Sequence, residues 1–140
     1  MSREIYVNLP VADLPRARGF FQALGFSFNP DFSDDTGACM VVSDGIFVML
    51  LTREKFAGFA PGEVADAHTQ TGVLVCLSCD SRAEVDDLVQ RAVAAGGRTF
   101  NAPQDHGFMY GHAFRDLDGH VWELVHMDAA ASERTAKAGD

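Results

Sequence analysis

Positive charge is scarce in this chain: Lys and Arg total 11 against 20 Asp and Glu, a formal net charge of −9. Nucleic acid and anionic membranes are bound through clustered Lys and Arg, so neither is expected as a partner. No apolar run approaches the roughly 20 residues a bilayer requires. The opening Met1-Ser-Arg-Glu4 lacks the apolar stretch of a signal peptide. A cytoplasmic location is therefore the expectation. Cysteine is sparse and odd in number, with three residues, which argues against a disulfide framework and for reduced thiols. Cys76 and Cys79 have C-x-x-C spacing, yet they fall in Val73-Leu-Val-Cys-Leu-Ser-Cys79, which reads as a strand. Side chains three apart on a strand point to opposite faces, so a shared metal or redox role is disfavoured. Also missing are a Gly-rich phosphate loop, a nucleophile elbow and an H-E-x-x-H run, which disfavours nucleotide and acyl-transfer chemistry.

Apolar residues, at 47% of 140, are plentiful enough for a real core. Ile5 to Leu9 reads as a strand. Asp13 then caps a helix with Pro15 in its first turn, Ala17, Phe20, Phe21 and Leu24 at helical spacing, and Gly25 at its end. A short strand at 26–28 follows. Residues 38–42 and 46–51 form a hairpin around Asp44-Gly45. After a short helix at 53–59 and a loop through His68, the pattern restarts with a strand at 73–79. Ser81 and Glu84 open a capped helix that closes at Gly96-Gly97, and strands are expected at 98–101, 108–115 and 121–126. The chain thus reads as β-α-β-β-β twice, at about 1–60 and 70–128, within one domain spanning 1–128. Residues 129–140, small and charged, read as a loose tail.

The final strand pair is the most informative for function. Asp118-Gly119 suits a tight turn with positive φ at both central residues, so its flanks should pair. Glu123 alternates with Trp122 and Leu124, which puts a lone carboxylate on a strand of apolar neighbours. Such a group is a ligand or the polar point of a binding cavity. Of the five histidines, His120 and His126 share parity with Trp122 and should face away from Glu123. Tyr110 and His112 share a face with each other; whether it is Glu123's face depends on a register the sequence leaves open. Phe47, Met49, Phe108 and Met109 are either ligand-stacking walls or ordinary core. Cys39 reads as a small core residue.

Leu9-Pro-Val-Ala-Asp-Leu14, Phe21-Gln-Ala-Leu-Gly-Phe26, Ala95-Gly-Gly97 and Asp116-Leu-Asp-Gly-His-Val-Trp-Glu-Leu124, in this order and spacing, resemble the vicinal oxygen chelate superfamily of glyoxalase I, bleomycin-resistance proteins and extradiol dioxygenases. The resemblance spans residues 3–127. It implies an α+β fold of two β-α-β-β-β modules whose mixed sheets curl around a cavity, commonly in a homodimer. It places the family's metal ligands at Tyr6, Met49, Leu74 and Glu123, of which only Glu123 is a usual ligand type. A two-residue slip keeps the face and substitutes Asn8 or Cys76, still a poor donor set for a hard divalent ion.

The first reading is a protein that holds a small organic ligand without that metal. Glu123 and Tyr110 are its candidate acid-base groups, and Tyr6, Asn8, Phe47, Met49, Leu74, Cys76 and His112 its candidate lining. No cofactor is expected on this reading. The alternative is a metal-dependent lyase, isomerase or dioxygenase of the same superfamily, with the metal holding two substrate oxygens. A purely structural interaction domain would announce itself by an exposed apolar patch.

Overall fold

The computed structural model describes residues 2–128, and the chain divides into two units, Met1–Gln70 and Thr71–Asp140. The tail expected at 129–140 lies outside the described residues.

The first unit runs β1 (Ile5–Val11), α1 (Leu14–Ala23), β2 (Ser27–Asn29), β3 (Gly37–Ser43), β4 (Ile46–Thr52) and α2 (Arg53–Phe59). Its sheet has the order β1-β4-β3-β2, with β1 parallel to β4 and the other pairs antiparallel. Asp13 starts α1 by accepting the Arg16 amide at 3.1 Å, which satisfies one of the amides a helix start leaves unpaired. Gly25, at φ 101°, turns the chain out of the helix. Leu14, Ala17, Phe20 and Phe21 form the buried stripe of α1. They belong to the same core as the alternate strand residues Leu9, Val11, Val48 and Leu50. Each such side chain, fully buried, contributes about 1.5–3 kcal/mol before entropy is counted.

The second unit repeats the plan: β5 (Leu74–Ser78), α3 (Arg82–Ala94), β6 (Gln104–Asp105), β7 (Met109–Arg115) and β8 (Val121–Met127), in the sheet order β5-β8-β7-β6. Again the outer pair β5 and β8 is parallel and the rest antiparallel. Ser81 accepts the Glu84 amide at 3.0 Å, and Glu84 reaches back to the Asp80 amide at 3.0 Å. This is the reciprocal cap the sequence predicts, shifted by one residue at its return arm. Val85, Val89 and Ala92 are the buried residues of α3. Phe114, Trp122 and Leu124 of β7 and β8 are buried as well.

The α+β class and the doubled β-α-β-β-β order hold, with two local corrections. Residues 98–101 make only an isolated bridge, Arg98 to Arg115, and the short fourth strand is β6, further along. Neither Asp44 nor Asp118 takes positive φ; only Gly45 and Gly119 do, at 77° and 88°. In the β7–β8 connection the Gly119 amide donates to the Asp116 carbonyl at 3.1 Å, and the Asp116 amide to the His120 carbonyl at 2.9 Å. That is a three-residue loop with one left-handed glycine. The buried Asp116 carboxylate fastens this loop, accepting from the Asp118 and His120 amides and from Trp122 Nε1 at 2.9, 3.0 and 3.0 Å. Burial pushes its pKa up, while His120 and these donors pull the other way.

Candidate functional site

In each unit one sheet face carries most of the core, and the other is the more open. Alternation and register fix which residues lie on the open face. In the first unit Tyr6 is opposite Phe47, and Asn8 opposite Met49, which is in turn opposite Cys39. Tyr6, Asn8, Phe47 and Met49 therefore share a face. The Tyr6 and Phe47 rings stack at 4.9 Å, 14° from parallel.

In the second unit Cys76 is opposite Glu123, and Glu123 opposite Ala113. Leu74 and Cys76 of β5, Val121, Glu123 and Val125 of β8, and Gly111 and Ala113 of β7 share the open face. Glu123 is the only carboxylate on that face among the described strand residues. The Cys76 thiol is exposed, and partial desolvation followed by the Glu123 charge raises its pKa. A hollow of about 260 Å³ borders Glu123, with Gln104, His106, Met109, Ala113 and Val125 among its lining. Gly111 keeps it open, because a Cβ there would lie 3.3 Å from Val125 Cγ1 and 3.4 Å from the Leu124 carbonyl.

The same register separates two candidates from Glu123. Tyr110 is opposite His126, and His112 opposite Leu124, so both side chains leave the sheet on the other face. The Tyr110 hydroxyl donates to Asp86 of α3 at 2.6 Å. That bond holds its proton and raises its pKa, with desolvation second. His112 Nε2 lies 2.9 Å from the Asn101 carbonyl, and the residue touches the hollow without sharing Glu123's face. His126 Nδ1 is 3.0 Å from the Cys79 carbonyl. Cys79 is buried, its pKa pushed up to about 12 by desolvation and then by Glu84. A polar end built of Tyr110, His112 and Glu123 together is thus not what the register gives. Gln104 and His106, the second weighed among the five histidines and given no role from sequence, lie at the hollow. They belong to a polar stretch with no periodicity, and only the pairing of Gln104 with Gly111 puts that stretch beside β7.

The family model "Bleomycin resistance protein-like N-terminal" matches residues 3–43. Among solved structures, a hypothetical protein from S. aureus is similar at 28% identity and TM-score 0.76, over 90% of this chain and 95% of that one. A glyoxalase/bleomycin resistance protein/dioxygenase family enzyme from Burkholderia phytofirmans PsJN is similar at 20% identity and TM-score 0.75, covering 91% and 100%. The chain has the fold of these glyoxalase/bleomycin resistance proteins. A genomically encoded fosfomycin resistance protein from Listeria monocytogenes shares this fold at 19% identity and TM-score 0.66, covering 93% and 97%. A search of curated proteins gives no significant match.

The resemblance in sequence places metal-ligand positions at Tyr6, Met49, Leu74 and Glu123, and the chemistry of these residues can be weighed unit by unit. The first unit offers a phenol, an amide at Asn8 and a thioether. The second offers an alkyl group, a thiol with a raised pKa and one carboxylate. Hard divalent ions take several oxygen or imidazole donors, so this set does not fit one. Among the described residues there is no group of three or more His, Cys, Asp or Glu placed to hold a metal ion. Likewise, no helix among them is long and apolar enough to cross a membrane.

Proposed function

We propose that this glyoxalase/bleomycin-resistance-like protein binds a small organic molecule without the family's metal, using the open face around Glu123. The observation that carries this is the position of Glu123: one carboxylate, half-buried, among Ala113, Val121 and Val125 at the edge of a hollow. A carboxylate beside apolar Ala113, Val121 and Val125, at a hollow that also carries Gln104 and His106, suits a ligand that has an apolar part and a cationic or hydrogen-donating end. The net charge of −9 favours a cation over an anion. Leu74 and Cys76 would line the same face, and Tyr6, Asn8, Phe47 and Met49 the corresponding face of the first unit. The fold's usual habit supports a homodimer, and the sequence a cytoplasmic setting.

The test is a thermal-shift and calorimetric screen of small organic cations and their neutral isosteres against wild type and Glu123→Gln. Cation affinity should fall about fivefold in the variant and neutral affinity hardly at all. Equal losses would remove the charge role. Stoichiometric uptake of Mg²⁺, Mn²⁺, Fe²⁺, Ni²⁺ or Zn²⁺ that disappears in Glu123→Ala would restore the metalloenzyme alternative. Sedimentation velocity checks the dimer.

A further inference from the structure

The first unit holds a hollow of a different character. It measures about 320 Å³ and is lined by Asn8, Leu51, Phe56, Phe59 and Ala60. No charged side chain is among them. The walls come from strand and helix together, for a local reason. Thr52 ends β4 and at once caps α2, its hydroxyl accepting the Lys55 amide at 3.2 Å. The chain therefore has no loop in which to leave the sheet, and α2 packs against β1 and β4. Phe56 and Phe59, three residues apart, fall on neighbouring positions of that helix. Arg53 fastens the segment beyond it, donating to the Val64 and Ala65 carbonyls at 3.3 and 3.4 Å. Phe59 is 72% exposed, which leaves apolar area in water that a ligand would cover.

We infer that this hollow is a second ligand site, taking an uncharged aromatic molecule of up to two or three rings that stacks against Phe56 and Phe59, with Asn8 available to its one polar group. The absence of any cation or carboxylate in the lining selects against charged ligands, since their desolvation would go uncompensated. Aromatic stacking beyond simple area burial gives about 0.5–1.5 kcal/mol per ring pair. Asn8 also belongs to the first unit's open face, so the site rests on that face's proposed part in ligand binding, but it does not depend on Glu123 and stands whether or not the second unit binds anything.

The probe is the neutral fluorophore N-phenyl-1-naphthylamine, titrated into the full chain beside its anionic relative 8-anilino-1-naphthalenesulfonate. Saturable one-to-one binding of the neutral probe is expected, with the anion at least about fivefold weaker. Ala60→Trp, which fills the hollow, should weaken the neutral probe about tenfold or more, and Phe59→Ala about two- to tenfold. Phe59 is exposed, so its variant should fold even if Ala60→Trp does not. Circular dichroism and melting of each variant check this. No saturable binding, or binding indifferent to both substitutions, overturns the site. Binding lost in Glu123→Gln places the probe in the second unit and also overturns it. Probe binding that falls as protein concentration rises, with Phe59→Ala lowering the dimer fraction, assigns the hollow to a second copy of the chain instead.

Discussion

The two units follow one layout and fill it from opposite sides. In the first, the bulk of the core stands on the helix, where Phe20 and Phe21 meet edge to face at 4.9 Å opposite aliphatic strand residues. In the second, the helix offers Val85, Val89 and Ala92, and the bulk stands on the strands as Phe114 and Trp122. The exchange is not neutral in polarity. Phe21 brings no polar atom, whereas Trp122 brings an N–H that must be paired when buried, and Asp116 pairs it while holding the β7–β8 loop. The open faces diverge in the same way at matched positions. Asn8 beside Met49 in one unit corresponds to Cys76 beside Glu123 in the other, and Cys39 to Ala113, while Gly37 and Gly111 are glycine in both. One unit is left with an amide and a thioether, the other with a carboxylate and a thiol. What the pair teaches is that this topology fixes where side chains point and leaves their chemistry free.

Substitutions can press on that comparison. The largest effect belongs to the cores: Phe21→Ala and Trp122→Ala should each cost about 3–5 kcal/mol in chemical denaturation. Trp122→Phe then separates the units. It leaves the buried Asp116 carboxylate short of a donor and should still cost about 1–3 kcal/mol beyond the packing loss, an increment that Phe21→Leu lacks. Equal costs for the two conservative changes would mean that Asp116 is satisfied without the indole. Next is Tyr110→Phe, which cuts the link from β7 to Asp86 on α3 and should cost about 1 kcal/mol. In the other direction, Gly19 of α1 has open space where a Cβ would go, so Gly19→Ala should stabilise the protein by about 0.5–1 kcal/mol. No such gain is available in α3, which contains no glycine.

The smallest effect is a rate. At pH 8 iodoacetamide should label exposed Cys76 ahead of buried Cys39 and Cys79, and faster as pH rises toward the raised thiol pKa. Because the Glu123 charge helps hold that pKa up, Glu123→Gln should lower it and speed labelling at fixed pH. Unchanged labelling would mean that the carboxylate and the thiol do not sense each other.

Much of this architecture is legible in the chain because it rests on local physics. Asp13 and Ser81 announce their helices by the amides they satisfy, and the expected helix at 53–59 is α2 itself. Alternation gives β3, β4, β7 and β8 to within a residue or so at their ends. What escapes is set by pairing at a distance. β6 has two residues, too few for any period, and it is recognisable only by its partner on β7. The face of Tyr110 turned on whether the β7–β8 loop held two residues or three, and a one-residue slip would have put it on Glu123's face. Phe56 and Phe59 give no signal as a wall, since a phenylalanine in a short helix reads the same over a cavity as in a core. His106 is silent for the opposite reason, being a polar residue in a polar stretch.

The positions that distinguish the two open faces, Asn8, Met49, Cys76 and Glu123, all lie outside the buried core. Folding and recognition are thereby assigned to different residues of the same strands. A lineage carrying this chain can rewrite Met49 or Glu123 with little threat to either core. Selection for a new ligand then acts on positions where most single changes survive, and the two units are free to drift toward different tastes.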